Sequence, residues 1–173
     1  MSELATTNVK PSKQVRLELD AIPEAVLQAA HVIRGIARTL RLGSTTAKRL
    51  TRAVCEVVLN ACTYAYPNDA GKVVLQVAQE DGCLQIVVTD FGRGFRCEDY
   101  FRPDGSRGPN AHHQTGLFLA ANAVDRLSIE SGNQGTTVKM VKRIGRGRKP
   151  EGRSEEDDRT EGQTANTGMW TPD

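Results

Sequence analysis

The hydrophobic period switches repeatedly along this chain, and the order of the switches constrains the fold more than any other feature. Val15 to Leu19 (Val-Arg-Leu-Glu-Leu) alternates apolar and charged side chains, the period of a half-buried strand. Two runs of helical period follow back to back. In the first, over residues 23–42, Val26, Ala29, Ala30, Ile33, Ala37 and Leu40 fall on one face, Pro23 takes the first turn and Gly43 is the expected C′ stop. In the second, capped by Ser44 or Thr45, the stripe is Leu50, Ala53, Val54, Val57, Val58, Ala61 and Ala65, ended by Pro67, Asn68, Asp69 and Gly71. Period 2 then returns in Lys72–Gln79 and Cys83–Thr89, joined by Asp81-Gly82, a strong hairpin signal. After a glycine-bearing turn at 90–95 and a polar stretch at 96–115, Gly116–Asp125 reads as a short helix. Leu127–Ser131 and Thr136–Val141 read as a last hairpin across Gly132–Gly135.

The order is β-α-α-β-β-loop-α-β-β. An isolated hairpin is barely stable in water, so strands from both ends of the chain must share one sheet. The predicted fold is α+β: a two-layer α/β sandwich, its mixed, mainly antiparallel sheet carrying the helices on one face. The 173 residues divide into a flexible N-terminus (1–13), one domain (14–144) and a charged, disordered tail (145–173). Such a domain buries a core without disulfides or metal. The four cysteines, Cys55, Cys62, Cys83 and Cys97, form no Cys-x-x-Cys pair and read as reduced thiols of a cytoplasmic protein. The sequence shows no signal peptide and no run long enough to span a membrane. A net charge of +2 does not mark a nucleic-acid binder. The charge is uneven, however: residues 145–173 hold five basic and seven acidic side chains, which leaves the domain mildly basic and suited to an acidic or phosphorylated ligand.

Four constellations could carry chemistry. Glu56 and Asn60 lie one helical turn apart at the edge of an apolar stripe. They are either a solvated polar pair or a carboxylate and an amide facing a pocket between helix and sheet, able to orient a nucleophile and to hold Mg²⁺. Asp90-Phe91-Gly92-Arg93-Gly94 follows a strand directly. It is either an ordinary turn or an acceptor for an exocyclic amine, with glycines that let the backbone approach a ligand. Thr115-Gly116 opens a helix, whose free amides favour an anion. Gly135-Thr136 opens the last strand, as a hairpin turn or with a hydroxyl that reaches a base directly or through water.

In this order the four resemble the N box and three glycine boxes of the GHKL (Bergerat-fold) ATPases, over residues 14–143. The strand and helix before the N box, the Asn60-Ala-Cys-Thr-Tyr64-Ala-Tyr66-Pro67 run and the closing Leu127-Ser-Ile-Glu-Ser131…Gly135-Thr-Thr-Val138 run are similar to the anti-sigma-factor serine/threonine kinases of RsbW and SpoIIAB type. That resemblance implies ATP and Mg²⁺ as cofactors. It implies two protein partners: a sigma factor, held inactive, and a STAS-domain anti-anti-sigma antagonist, phosphorylated on serine. A homodimer is common among such proteins. Carried over by position, Glu56 is the catalytic base, Asn60 the Mg²⁺ ligand, and Asp90 the adenine-amine acceptor. Gly92 and Gly94 shape the adenine pocket, Gly116 belongs to the phosphate end, and Thr136 supports the adenine contact. The chain departs from the family pattern at His113-Gln114, where a glycine pair is usual, and at Tyr64, where histidine is frequent. The alternative is therefore a catalytically weak GHKL-fold binding or switch module in the same kind of pathway.

Overall fold

The computed structural model describes residues 13–67, 69–96 and 115–144. Its elements are β1 (Lys13–Asp20), α1 (Glu24–Thr39), α2 (Ser44–Asn60), β2 (Lys72–Glu80), β3 (Cys83–Asp90), α3 (Thr115–Ala123), β4 (Arg126–Gly132) and β5 (Gly135–Arg143). A π-helical turn, Ala61–Ala65, continues α2. The anticipated N-terminal stretch (except Lys13), the tail and residues 97–114 of the polar stretch lie outside the described residues.

The strands form one sheet of order β1-β2-β3-β5-β4, and every pairing in it is antiparallel, so among the described residues the sheet is not mixed as expected: β5 runs opposite to both its neighbours, β3 and β4. The expected sharing of one sheet by both ends of the chain is realised where β5 lies beside β3. Asp81 and Gly82 turn the β2–β3 hairpin with φ of 49° and 74°, the left-handed pair that a two-residue turn between twisted strands requires.

Alternation along β3 sends Leu84, Ile86, Val88 and Asp90 to one face, where Val138 and Met140 of β5 join them. The helices pack on that face. α2 lies between α1 and α3 and supplies Leu50, Val54, Val57 and Val58 to the core. Burying one such side chain stabilises by about 1.5–3 kcal/mol. The inner face of α1 is mostly alanine (Ala25, Ala29, Ala30, Ala37), which lets its backbone lie close to its neighbours.

Two helix ends differ from the sequence expectation. α1 stops at Thr39, and Arg41, not Gly43, adopts the left-handed conformation, at φ 52°. Arg41 N–H donates to the Arg38 carbonyl and Leu42 N–H to the Ala37 carbonyl, the paired bonds of a Schellman ending. Gly43 instead precedes α2 in an extended conformation, and no side chain caps that helix, so neither Ser44 nor Thr45 fills the capping role. The motif set its own stop one turn early because Leu42 can turn back toward the core.

Candidate functional site: a slot between α2, β3 and β5

The site forms where α2 widens. A π turn accommodates an extra residue in the helical backbone and recurs at functional sites. Here Ala61–Ala65 faces the ends of β3 and β5 across a cavity of about 260 Å³. Val57, Ala61, Val88, Phe95, Leu117 and Val138 give it apolar walls, and Asn60, Asp90 and Thr136 are among its polar groups. An apolar slot with a few convergent polar groups is the usual form of a small-molecule site.

Asp90 closes the end of β3 and is only 7% exposed. Its Oδ1 accepts the backbone N–H of Gly92 at 3.0 Å and that of Thr136 at 3.2 Å. Burial pushes its carboxyl above the usual range, and the bonds from Gly92, Thr136 and the Thr136 hydroxyl offset part of that rise. Thr136 hydroxyl shares a 2.9 Å bond with Ser131, whose Oγ also accepts the N–H of Phe95 at 2.9 Å. Phe95 on the slot wall is thereby linked through two hydroxyls to Asp90.

Two close approaches explain the glycines of the Asp90 turn. A side chain at Gly92 would collide with the Ala65 carbonyl and methyl. Gly94 sits at φ 64°, and a Cβ there would strike the Gly132 carbonyl. The turn is also bonded to the end of α2. Arg93 N–H donates to the Ala65 carbonyl at 3.1 Å, Arg93 Nε to the Tyr64 carbonyl at 3.1 Å, and Phe91 N–H to the Tyr66 hydroxyl at 2.7 Å. Carbonyls left over at a helix end are thus satisfied by the segment that carries Asp90.

The structure brings Asn60, Asp90, Gly94 and Thr136 together along the slot. Gly92 stands directly behind it, against Ala65. Glu56 does not line the slot. It lies one turn earlier on α2, against the start of α3: a Cβ on Gly116 would come 2.9 Å from Glu56 Oε2 and 3.5 Å from Asn60 Nδ2. Gly116 is therefore the residue that admits α3 to the Glu56–Asn60 edge. Glu56 also faces Arg52 at 3.9 Å, a largely exposed pair of little energetic weight.

Asn60 Nδ2 is buried without a hydrogen-bond partner, the sole such side-chain atom among the described residues. Leaving a buried amide unpaired costs about 1–3 kcal/mol, which a bound water, ion or ligand at this site would relieve. A half-turn of the amide presents Oδ1, a hard oxygen ligand suited to Mg²⁺. Among the described residues no three His, Cys, Asp or Glu side chains cluster as a metal site. One such amide oxygen would suffice for a Mg²⁺ ion, which keeps several of its own waters.

Against this geometry, residues 19–142 match the family model of the histidine kinase-like ATPase domain. The chain belongs to that family. A histidine kinase-like ATPase domain implies an ATP site. The chain is similar to the serine-protein kinase RsbW of Bacillus licheniformis, 27% identical over 146 residues covering 80% of this chain and 90% of the relative. It is also similar to RsbW of Bacillus velezensis, 26% identical over 138 residues covering 74% and 84%. These relatives support kinase activity at the level of the family. Among solved structures, the RsbU and RsbW domains of a Mycobacterium tuberculosis protein share the fold, with a TM-score of 0.58 and 24% identity over 76% of this chain. This chain spans 32% of that longer one. Among the described residues of this ATPase domain, no helix is long and apolar enough to cross a membrane.

Sequence reasoning missed Ser131, Arg93 and Tyr66. A signal existed for Ser131, because a two-residue hairpin turn at Asn133-Gln134 puts it directly opposite Thr136. None existed for Arg93 and Tyr66, whose partners are backbone atoms brought near by the π turn.

Proposed function

We propose that this chain is an ATP-dependent anti-sigma factor that binds a sigma factor and phosphorylates a serine of a STAS-domain antagonist. The observation that carries the reading is the pairing, in one apolar slot, of a backbone-locked carboxylate (Asp90) with an unused buried amide (Asn60). The adenine amine donates to Asp90, and Thr136, bonded to both Asp90 and Ser131, supports that contact. Asn60 would hold Mg²⁺, which would supply charge neutralisation at the phosphates when bound. Gly116, at the start of α3 beside Glu56 and Asn60, belongs to the phosphate end. Glu56, beside the slot and against the start of α3, orients the antagonist's serine hydroxyl and accepts its proton as the γ-phosphoryl group passes from ATP to the serine oxygen, leaving ADP.

The second reading is a binding module that holds partners without turning over ATP. His113-Gln114, in place of the family's glycine pair, favours it. Single-turnover phosphotransfer to the cognate STAS protein separates the two. Transfer that requires ATP and Mg²⁺ and disappears in Glu56→Gln supports the kinase. A wild-type protein that binds this partner yet transfers no phosphate overturns it.

A further inference from the structure

Away from the nucleotide slot, α1 and α2 enclose a groove of about 520 Å³ whose charge is one-sided. Arg34 and Arg38 line it from α1, and Lys48 and Arg52 from α2. Each pair is spaced i, i+4, an arrangement of like charges that destabilises a helix unless an anion lies between them. Arg34, Arg38 and Lys48 have no ion pair among the described residues, and Arg52 has only its 3.9 Å contact with Glu56. The first turn of α2, which opens at this groove with Ser44, contains no acidic residue and no side-chain cap. The positive end of its dipole therefore adds to the cations rather than being neutralised. Burial by the groove raises the Cys55 thiol despite the nearby Arg34 charge, so the thiol stays neutral and contributes no anion.

We propose that the groove is a docking surface for a run of carboxylates, and that its occupant is this chain's own Glu155-Glu156-Asp157-Asp158. These are four consecutive acidic residues in a chain whose remaining domain is basic. Four carboxylates match the four cations of the groove. The connection is long enough. β5 leaves the sheet beside the Asp81-Gly82 turn, where Ile144 N–H donates to the Gly82 carbonyl. α2 ends at the opposite end of β3, where Asn60 and Asp90 share the slot, so its N-terminal half lies toward the end from which Ile144 departs. The eleven steps from Ile144 to Glu155 reach up to about 36 Å extended, and about 18 Å as a flexible coil. The contact is one of charge and is therefore salt-sensitive.

Zero-length carbodiimide coupling of the intact chain tests this, with peptide mapping of each Lys–carboxylate link. Lys48 is expected to couple to residues 155–158 in the dilute protein. The yield should fall at least tenfold at 1 M salt, where screening shortens to about 3 Å. It should be lost in the variant Glu155→Gln, Glu156→Gln, Asp157→Asn, Asp158→Asn, which leaves the helices untouched, and in Arg34→Gln, Arg38→Gln. Equal coupling of the acidic run to Lys72, Lys139 and Lys142, or no Lys48 link, overturns the proposal. A 1:1 mixture of isotopically light and heavy protein completes the test. Light–heavy links would assign the groove to a second copy's tail and overturn the intramolecular assignment.

Discussion

Asp90→Asn separates the two things that Asp90 does. The substitution keeps the shape of the side chain, and the amide oxygen can still accept the N–H groups of Gly92 and Thr136. What it changes is the charge and one acceptor. The folded protein raises the carboxyl above its usual range through burial, so the folded state favours the protonated form. A raised value contributes stability that is fully present below the unfolded value, near 4, and is lost as pH rises through the folded value. At neutral pH the ionised carboxylate is therefore a burden on the apo fold, and an uncharged amide removes it. Asp90→Asn should melt at or slightly above the wild-type temperature at pH 7.5, with the difference closing as pH falls through the raised folded value toward about 4. Nucleotide binding should move the other way. An amide donor facing the adenine amine leaves buried groups unpaired, at about 1–3 kcal/mol, or roughly 5- to 150-fold in Kd. Calorimetric titration with ATP, beside thermal melts across pH, measures both. Equal ATP affinity would refute the adenine role, and a melting temperature many degrees lower would refute the electrostatic argument.

Glu56→Gln should bind ATP nearly as well as the wild type while single-turnover transfer to the antagonist falls about 10²- to 10⁴-fold, because a base acts chiefly in the transition state. Asn60→Ala should lose the Mg²⁺-dependent part of ATP affinity and leave the apo fold as stable or more so, since it removes an unpaired buried amide; calorimetry with and without Mg²⁺ checks this. Ser131→Ala removes the hydroxyl that accepts the Phe95 N–H and bonds the Thr136 hydroxyl, and should cost about 1–2 kcal/mol in denaturant unfolding, together with weaker ATP binding. Asp125 is exposed; the slight burial of its carboxyl would raise it, but its bonds to Lys142 and to the Arg143 N–H outweigh that and hold it below the usual range. Asp125→Asn should therefore destabilise by about 1 kcal/mol at neutral pH, discounted for exposure, and the gap should shrink as pH drops from about 4 through the lowered value in urea titrations.

The parts of the fold that sequence revealed are those with a local period or local turn chemistry. Val15–Leu19, the stripes of α1 and α2 and the Asp81-Gly82 hairpin each announce themselves within a few residues. Hidden from sequence were the features decided by tertiary contact. Arg41 takes a conformation that glycine usually takes because Leu42 packs back on the core. The helical pattern through Ala65 is apolar in the right places, yet nothing in it marks the change from α to π at Ala61. At the site, Asp90, Asn60 and Thr136 could be named from motif order, but the order could not show that Asn60 would stand without a partner, or that Glu56 would sit beside the slot rather than in it.

The floor of the slot has a consequence for folding. Asp90 is held by a backbone N–H from a residue 46 positions later, so the acceptor is in place only once β5 has docked on β3. Any partly folded chain that contains α1, α2 and the β2–β3 hairpin but lacks β5 has the helix and the carboxylate without the locked geometry. ATP should then bind the complete native state alone. By mass action, a nucleotide concentration of 100 times Kd adds about 2.7 kcal/mol to the stability of that state. Pairing between strands so far apart in sequence closes slowly. If the slot takes ATP as proposed, nucleotide binding rewards the docking of β5 on β3 as well as the contacts of the slot itself.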